Sequence, residues 1–214
     1  MGAGVDIYDE ALGAEWAALR ARWSDGTTLE LPIKRWLGPP TPGDESVLTR
    51  VAGPVLDVGC GPGRLLVALQ QRGVEALGVD ISRTAVAIAH GRGARAVTAS
   101  VFDGLALPGP LRSAVLLDGN IGIGGDPVRL LRRIGRLLAP AGRVIVELDA
   151  PGTPTTSGVV RLEGRRLRSD PFPWARIAVD LMGATAGAAG YRVDETWTAE
   201  RRWFAALSPQ RREC

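Results

Sequence analysis

The chain has 214 residues and a mass of 22.6 kDa, enough for one domain with additions and too little for two full domains. Hydrophobic residues make up 45% and charged residues 23%, globular proportions that exclude a disordered tail, a fibrous repeat and a disulfide miniprotein. The formal charge is only +3, carried almost entirely by arginine because Lys34 is the sole lysine, and the arginines are scattered apart from Arg161, Arg165, Arg166 and Arg168. A nucleic-acid binder concentrates positive charge on one face, so no nucleic-acid partner is expected.

Read in chain order, Leu12, Trp16 and Leu19 recur at helical spacing and predict an amphipathic helix over Tyr8–Arg22, stopped at Asp25 and Gly26. Leu29, Leu31 and Ile33 alternate, and Pro39, Pro40 and Pro42 then force an irregular connection. A short helix from about Asp44, capped by that side chain, leads to the first strand. From Val55 onward, apolar runs of strand length alternate with amphipathic segments of helix length. Strands are predicted at Val55–Val58, Glu75–Val79, Ala94–Ala99, Ala114–Leu117 and Arg143–Leu148, with helices at Arg64–Gln71, Thr84–His90 and Pro127–Leu138. This alternation predicts a doubly wound α/β fold, a mostly parallel sheet with helices on both faces. Asp126 and Pro127 suit the cap and first turn of the last of these helices. Beyond it, Val159–Leu162 and Arg166–Arg168 read as a hairpin, Pro173–Ala189 as a helix, and Tyr191–Thr198 with Arg202–Leu207 as two closing strands.

The two cysteines, Cys60 and Cys214, and the one histidine, His90, cannot assemble a four-ligand zinc site or a disulfide framework, so no metal is expected. Met1–Asp9 lacks the basic and apolar regions of a leader, and no stretch approaches the roughly 18 apolar residues of a membrane span. A cytoplasmic location without a membrane partner is the expectation.

The chemistry is concentrated in Val55-Leu56-Asp57-Val58-Gly59-Cys60-Gly61-Pro62-Gly63-Arg64, an apolar strand that runs through three glycines directly into a helix. Glycine permits close approach of a ligand to the backbone, and the helix start presents unpaired N–H groups. The second strand ends at Asp80, where an acid accepts the two hydroxyls of a ribose. The glycine order is Gly59-x-Gly61-x-Gly63, with Leu66 where a dinucleotide fingerprint carries its last glycine.

These residues resemble the first motif of the Rossmann-like (class I) S-adenosylmethionine-dependent methyltransferases, over roughly Val55–Leu148 by motif and over the closing strands by order. The resemblance implies a seven-stranded sheet in the order 3-2-1-4-5-7-6 with the last strand antiparallel. It also implies S-adenosyl-L-methionine as cofactor. Gly59, Cys60, Gly61 and Gly63 then form the cofactor loop, Asp57 holds that loop and the cofactor's amino group, and Asp80 binds the ribose with Ile81 against the adenine. Asp103 accepts from the adenine amino group beside Phe102. Asp118 and Asn120, after the fourth strand, reach toward the methionine end and the transferred methyl and are the candidate catalytic residues.

Methyl transfer from a sulfonium needs alignment more than a strong base, although Asp118, Glu147 or Asp149 are the carboxylates available to an alcohol acceptor. The Asp-Pro-Pro-aromatic type of motif used on nucleic-acid bases is replaced here by Asp118-Gly119-Asn120-Ile121. The expected acceptor is therefore a small molecule, with a secondary metabolite suggested by the arginine-rich, lysine-poor usage. One methyltransferase domain over 1–214 is expected, with residues 1–50 as a helical lid carrying Tyr8, Trp16 and Trp23. An insertion at 150–175 carrying Phe172 and Trp174 completes the substrate side. A non-catalytic cofactor-binding protein and an NAD(P)-dependent oxidoreductase stay open as alternatives; the latter lacks a Tyr-x-x-x-Lys pair. Oligomeric state is not legible.

Overall fold

The computed structural model describes residues 5–13, 19–107, 109–165 and 167–210. The front segment forms α1 (Val5–Gly13), β1 (Arg20–Trp23), β2 (Thr28–Glu30), α2 (Ile33–Leu37) and α3 (Pro42–Leu48). The α/β core follows as β3 (Val55–Val58), α4 (Arg64–Gln71), β4 (Ala76–Asp80), α5 (Arg83–Gly91), β5 (Ala96–Thr98), β6 (Leu111–Leu116), α6 (Pro127–Gly135) and β7 (Leu138–Leu148). The chain closes with β8 (Thr156–Glu163), β9 (Phe172–Arg176), α7 (Met182–Ala189), β10 (Tyr191–Ala199) and β11 (Arg202–Pro209).

The main sheet has seven strands in the order β10-β11-β7-β6-β3-β4-β5. Counted along the core this is 3-2-1-4-5-7-6, with β11 antiparallel to both β7 and β10 and the other pairs parallel. Central strands of such a sheet are buried on both faces, which is why Val55–Val58 reads as a continuous apolar run broken only by Asp57. Leu56, Val58, Leu116, Val144 and Val146 pack with Leu130, Leu131 and Ile134 of α6 on one side. Val55, Val115, Ile145 and Phe204 pack with Val47, Leu65 and Leu69 of α3 and α4 on the other. Each such side chain contributes roughly 1.5–3 kcal/mol by leaving water.

Local capping agrees with the sequence in part. Asp126 accepts from the Arg129 N–H at 2.9 Å ahead of Pro127, as predicted. At α3 the cap is Thr41, and Asp44 acts from the third helical position by accepting the Thr41 N–H, a reciprocal capping box. The final hairpin turns through Glu200 and Arg201, at φ of 50° and 62°. Two successive positive φ values match the right-handed twist of the flanking strands.

Three expectations differ from the structure. Of the helix predicted over Tyr8–Arg22, Tyr8–Gly13 lie in α1, whereas Arg20–Trp23 is a strand with Ala21 and Trp23 turned inward; Trp16 lies outside the described residues. The helix predicted over Pro173–Ala189 begins only at Met182, because Phe172–Arg176 pairs with β8 as a strand. The predicted hairpin at Val159–Arg168 keeps only a single bridge between Glu163 and Arg168, and Arg166 lies outside the described residues. In all three places β8 is the cause. It pairs with β1 on one edge and β9 on the other, giving a four-stranded sheet β2-β1-β8-β9 in which β1 and β8 come from segments more than a hundred residues apart in sequence. This sheet and α1 share a core of Ile7, Leu12, Trp23, Ile33, Val160 and Leu162, and cap the carboxyl ends of the main-sheet strands.

Candidate functional site

The turn between β3 and α4 is built on three left-handed glycines, with φ of +70° at Gly59, +53° at Gly61 and +81° at Gly63. A side chain at Gly59 would meet the Asn120 amide at 2.5 Å, and one at Gly63 would meet the Ala89 methyl at 2.9 Å. The glycines thus serve both backbone conformation and the close approach of β6 and α5 to the turn. Gly59 and Cys60 donate to the Val79 carbonyl, and Gly61 donates to Asp80 Oδ2 at 2.8 Å. Asp80 Oδ1 accepts from Ser82 N–H at 2.8 Å, so each carboxylate oxygen takes one backbone donor and keeps a lone pair. Burial raises the Asp80 pKa, with the N–H bonds from Ser82 and Gly61 acting the other way.

Asp57 lies beneath this turn and is only 5% exposed. Among the described residues none donates a hydrogen bond to its carboxylate. Burial pushes its pKa up to about 7 against the pull of Arg64, and the neighbouring Asp118, Asp80 and Asp44 push the same way as burial. A buried carboxylate without a donor fits a ligand that brings an ammonium group, which is what S-adenosylmethionine presents at its amino-acid end. The paired acceptor sites on Asp80 fit a ribose diol equally.

Asp118 follows β6 in a left-handed conformation, φ 56°, with its N–H donated to Glu147 Oε2 at 2.6 Å. Its carboxylate is held between Arg35 at 2.6 Å and Arg64 at 2.9 Å. Asn120 donates its side-chain amide to the Val58 and Gly59 carbonyls, both at 2.9 Å, and so locks the turn to the end of β6. Structure therefore gathers Asp57, Gly59, Cys60, Gly61, Gly63, Asp80, Asp118 and Asn120 into one cluster. Ile81 directly follows Asp80 at the end of β4, and Phe102 and Asp103 follow β5. Ile81 is half exposed, Phe102 carries the Arg129 guanidinium 4.5 Å over its ring, and Asp103 accepts from the Ser100 N–H. The Cys60 thiol is buried against Gly78, and burial with the nearby Asp57 and Asp80 raises its pKa, which makes it inert. His90 bonds the Ala96 carbonyl at 2.8 Å and belongs to the α5–β5 packing.

Sequence reasoning did not find the charges that support this cluster. Asp44, fully buried, takes both Nε and Nη2 of Arg64 at 2.9 and 2.8 Å and Arg202 at 2.9 Å. Burial alone would raise its pKa, but Arg64 and Arg202 hold the carboxyl well below the usual range. Arg202 also forms a two-pronged pair with Glu147 at 2.8 and 2.6 Å, and Arg176 does the same with Asp149 at 2.9 Å on both oxygens. The carboxylates of Glu147 and Asp149, considered above as bases, are thus both engaged by arginine. Arg64, placed directly after Gly63, was the one legible signal, since a charge there has to find a buried partner.

The cap completes the enclosure. On α1, the Tyr8 hydroxyl lies over the glycine turn, 3.2 Å from where a Gly61 side chain would begin, and its ring meets Trp36 edge-on at 5.8 Å. Burial, reinforced by Asp80, Cys60 and Asp118, raises the Tyr8 pKa well above the ordinary phenol. Asp9, the next residue, accepts from the Ser82 hydroxyl and ties α1 to the residue after Ile81. Phe172 and Trp174 meet edge-on at 6.0 Å, and Trp174 crosses Gly122, where any side chain would strike the Ala175 carbonyl at 2.1 Å.

Residues 55–142 match the family model described as a methyltransferase domain. No curated protein matches the chain. Among solved structures, a methyltransferase from Bacteroides fragilis in complex with S-adenosyl-L-homocysteine is 24% identical, with 95% of this chain and 92% of that chain covered and a TM-score of 0.78. The CcbJ methyltransferase from Streptomyces caelestis is 19% identical over 82% and 92%, TM-score 0.62. The sugar N-methyltransferase KedS8 from Streptoalloteichus is 20% identical over 80% and 88%, TM-score 0.61. No helix among the described residues is long and apolar enough to cross a membrane. Strand order, glycine turn and family match agree: residues 55–142 are similar to a methyltransferase domain, and the chain shares its fold with these S-adenosylmethionine-dependent methyltransferases.

Proposed function

We propose that the protein transfers the methyl group of S-adenosylmethionine to an oxygen or nitrogen of a small molecule by in-line displacement. The observation that carries this reading is the glycine turn with a buried carboxylate, Asp57, beneath it that takes no hydrogen bond from the described residues, and a two-site acceptor, Asp80, beside it. The cofactor supplies a methyl group already activated on a sulfonium, so the protein's work is to align and to exclude water. In this reading Asp57 accepts the amino group, Asp80 the ribose hydroxyls, and Asp103 the adenine amino group, with Ile81 and Phe102 along the ring. Asn120 holds the turn in shape through the Val58 and Gly59 carbonyls. Asp118, with an arginine on each oxygen, acts by orienting charge at the methionine end. An amine acceptor needs to lose only one proton, which suits a site whose nearby carboxylates are engaged by arginines.

The acceptor side is formed by the front segment of about 50 residues and the 150–175 region. Several structural neighbours act on small molecules by their names, a sugar N-methyltransferase among them, and this supports the substrate class. A cytoplasmic location without nucleic-acid or membrane partners belongs to the same reading. Calorimetric titration with S-adenosylmethionine, S-adenosylhomocysteine and NAD(P)H tests it. Micromolar binding of the first two, lost in Asp80→Ala, is expected; binding of the nicotinamide cofactor alone, or of none, overturns the reading.

A further inference from the structure

Arg161, in the densest arginine group of the chain, plays no part in the glycine-turn site. In the cap sheet it is the direct cross-strand partner of Arg22, Arg161 on β8 and Arg22 on β1, and both are exposed. Like charges directly opposite on adjacent strands repel, so the pair needs an anion beside it. Glu163 supplies one, with Oε2 on Arg22 Nε at 3.0 Å and Oε1 facing Arg168 Nε at 3.8 Å. Arg22, then Arg168 and Arg161, hold the Glu163 carboxyl below the ordinary range. Three guanidiniums thus share one carboxylate, an excess of two positive charges, and no carboxylate among the described residues pairs with Arg161. Asp25, in the adjoining turn, accepts from the Thr27 N–H at 2.8 Å instead. Arg22 and Arg161 line one cavity of about 270 Å³, walled also by Ser24 of the β1–β2 turn, Val159 of β8 and Pro171 ahead of β9. Among the described residues no acidic side chain lines it.

We propose that this cavity between β1 and β8 is a binding site for a phosphate group, free or carried as a monoester by a small molecule, held between Arg22 and Arg161. Charge selects phosphate over carboxylate. A phosphate monoester carries roughly −1.5 to −2 near neutral pH and about balances the excess of two, whereas a carboxylate balances half of it. The donors suit it as well. Arg22 uses Nε on Glu163 and keeps its two Nη groups, and Arg161 offers its whole planar fork, the geometry that matches phosphate oxygens. Size points to a small ligand, because the volume lies just below the roughly 300–1,000 Å³ of ordinary small-molecule sites. Val159, 47% exposed, and Pro171 give the organic part of an ester an apolar wall. The site is separate from the cofactor turn and goes beyond the methyltransferase reading.

Inorganic phosphate, phenyl phosphate and benzoate, each titrated into the full chain at constant ionic strength and followed by backbone amide resonances, test the site. Wild type is compared with Arg161→Gln and with Arg112→Gln, which removes an exposed arginine of β6 away from the cavity. Saturable shifts confined to Arg22–Gly26 and Val159–Arg161 are expected, with a dissociation constant of about 1 mM or lower for the better phosphate. Arg161→Gln is expected to weaken binding by about tenfold or more, the scale of a lost charge-assisted bond, and Arg112→Gln to leave it unchanged. Phenyl phosphate binding more tightly than inorganic phosphate identifies an ester as the ligand; inorganic phosphate binding as tightly or more tightly identifies the free ion. Shifts that never saturate, that spread equally to other arginines or that persist undiminished in Arg161→Gln overturn the site. Benzoate binding as tightly as phenyl phosphate overturns the assignment to phosphate. No arm of the experiment uses the methyl donor, so the outcome is independent of cofactor binding.

Discussion

Asp57 gives the most direct experiment on a single residue. Its pKa stands near 7 in the folded protein against an ordinary 3.8, so between these values the folded state keeps a proton that the unfolded chain has released. Folding stability contributed by this group is then highest at acid pH, falls as pH rises through that window, and levels off above about 7. Asp57→Asn removes the ionisation. It is expected to match wild type near pH 4 and to exceed it at pH 8 by roughly 3 kcal/mol, a rise in Tm of several degrees, while weakening S-adenosylhomocysteine. Calorimetric Tm values across pH check this, and a difference that does not grow from pH 4 to pH 8 contradicts it. Asn120 acts on the same turn through hydrogen bonds alone. Asn120→Ala leaves the Val58 and Gly59 carbonyls without its amide and is expected to cost about 1–3 kcal/mol in urea unfolding and to loosen cofactor binding.

At the scale of elements, Asp44 joins three of them. It closes the capping box of α3 with Thr41, receives Arg64 from the first turn of α4 and receives Arg202 from β11. Removing one member of a buried ionic cluster strands the others in low dielectric, which costs roughly 3–5 kcal/mol. Asp44→Ala is therefore expected to lower the urea midpoint severely. Asp44→Ala combined with Arg64→Met should recover part of the loss, and a double variant no better than the single one would show that Arg64 is not the stranded charge. The same cluster was not legible in the sequence. Arg202 and Glu147 are 55 positions apart and Asp44 and Arg202 are 158 apart, so no local pattern announces them.

At the scale of the whole molecule, the four-stranded cap is assembled from residues 20–30 and 156–176. Because β1 and β8 share a ladder of four paired positions from Arg20–Glu163 to Trp23–Val160, the two segments are expected to open and close as one unit. Hydrogen exchange with and without S-adenosylhomocysteine tests this. Protection is expected to rise together in β1, β8 and β9, and a rise confined to the glycine turn would show that the cap does not close on the ligand.

The sequence by itself determined the core. Alternating strand and helix lengths, the order of glycines after Asp57, and acids at the ends of successive strands are local patterns, set by period, cap and turn chemistry within a few residues, and the seven-stranded sheet follows the expected order. The tertiary structure alone decided the cap and the charges. Arg20–Arg22 and Pro173–Arg176 fall within helices predicted from sequence and become strands because β8 offers each an edge, and pairing energy from a partner strand exceeds a weak local preference. Asp118 read as a free acid after a strand. Arg35 and Arg64, folded in from 83 and 54 positions away, make it the centre of an ion-pair cluster, because burying a charge requires a partner and only the folded chain supplies one.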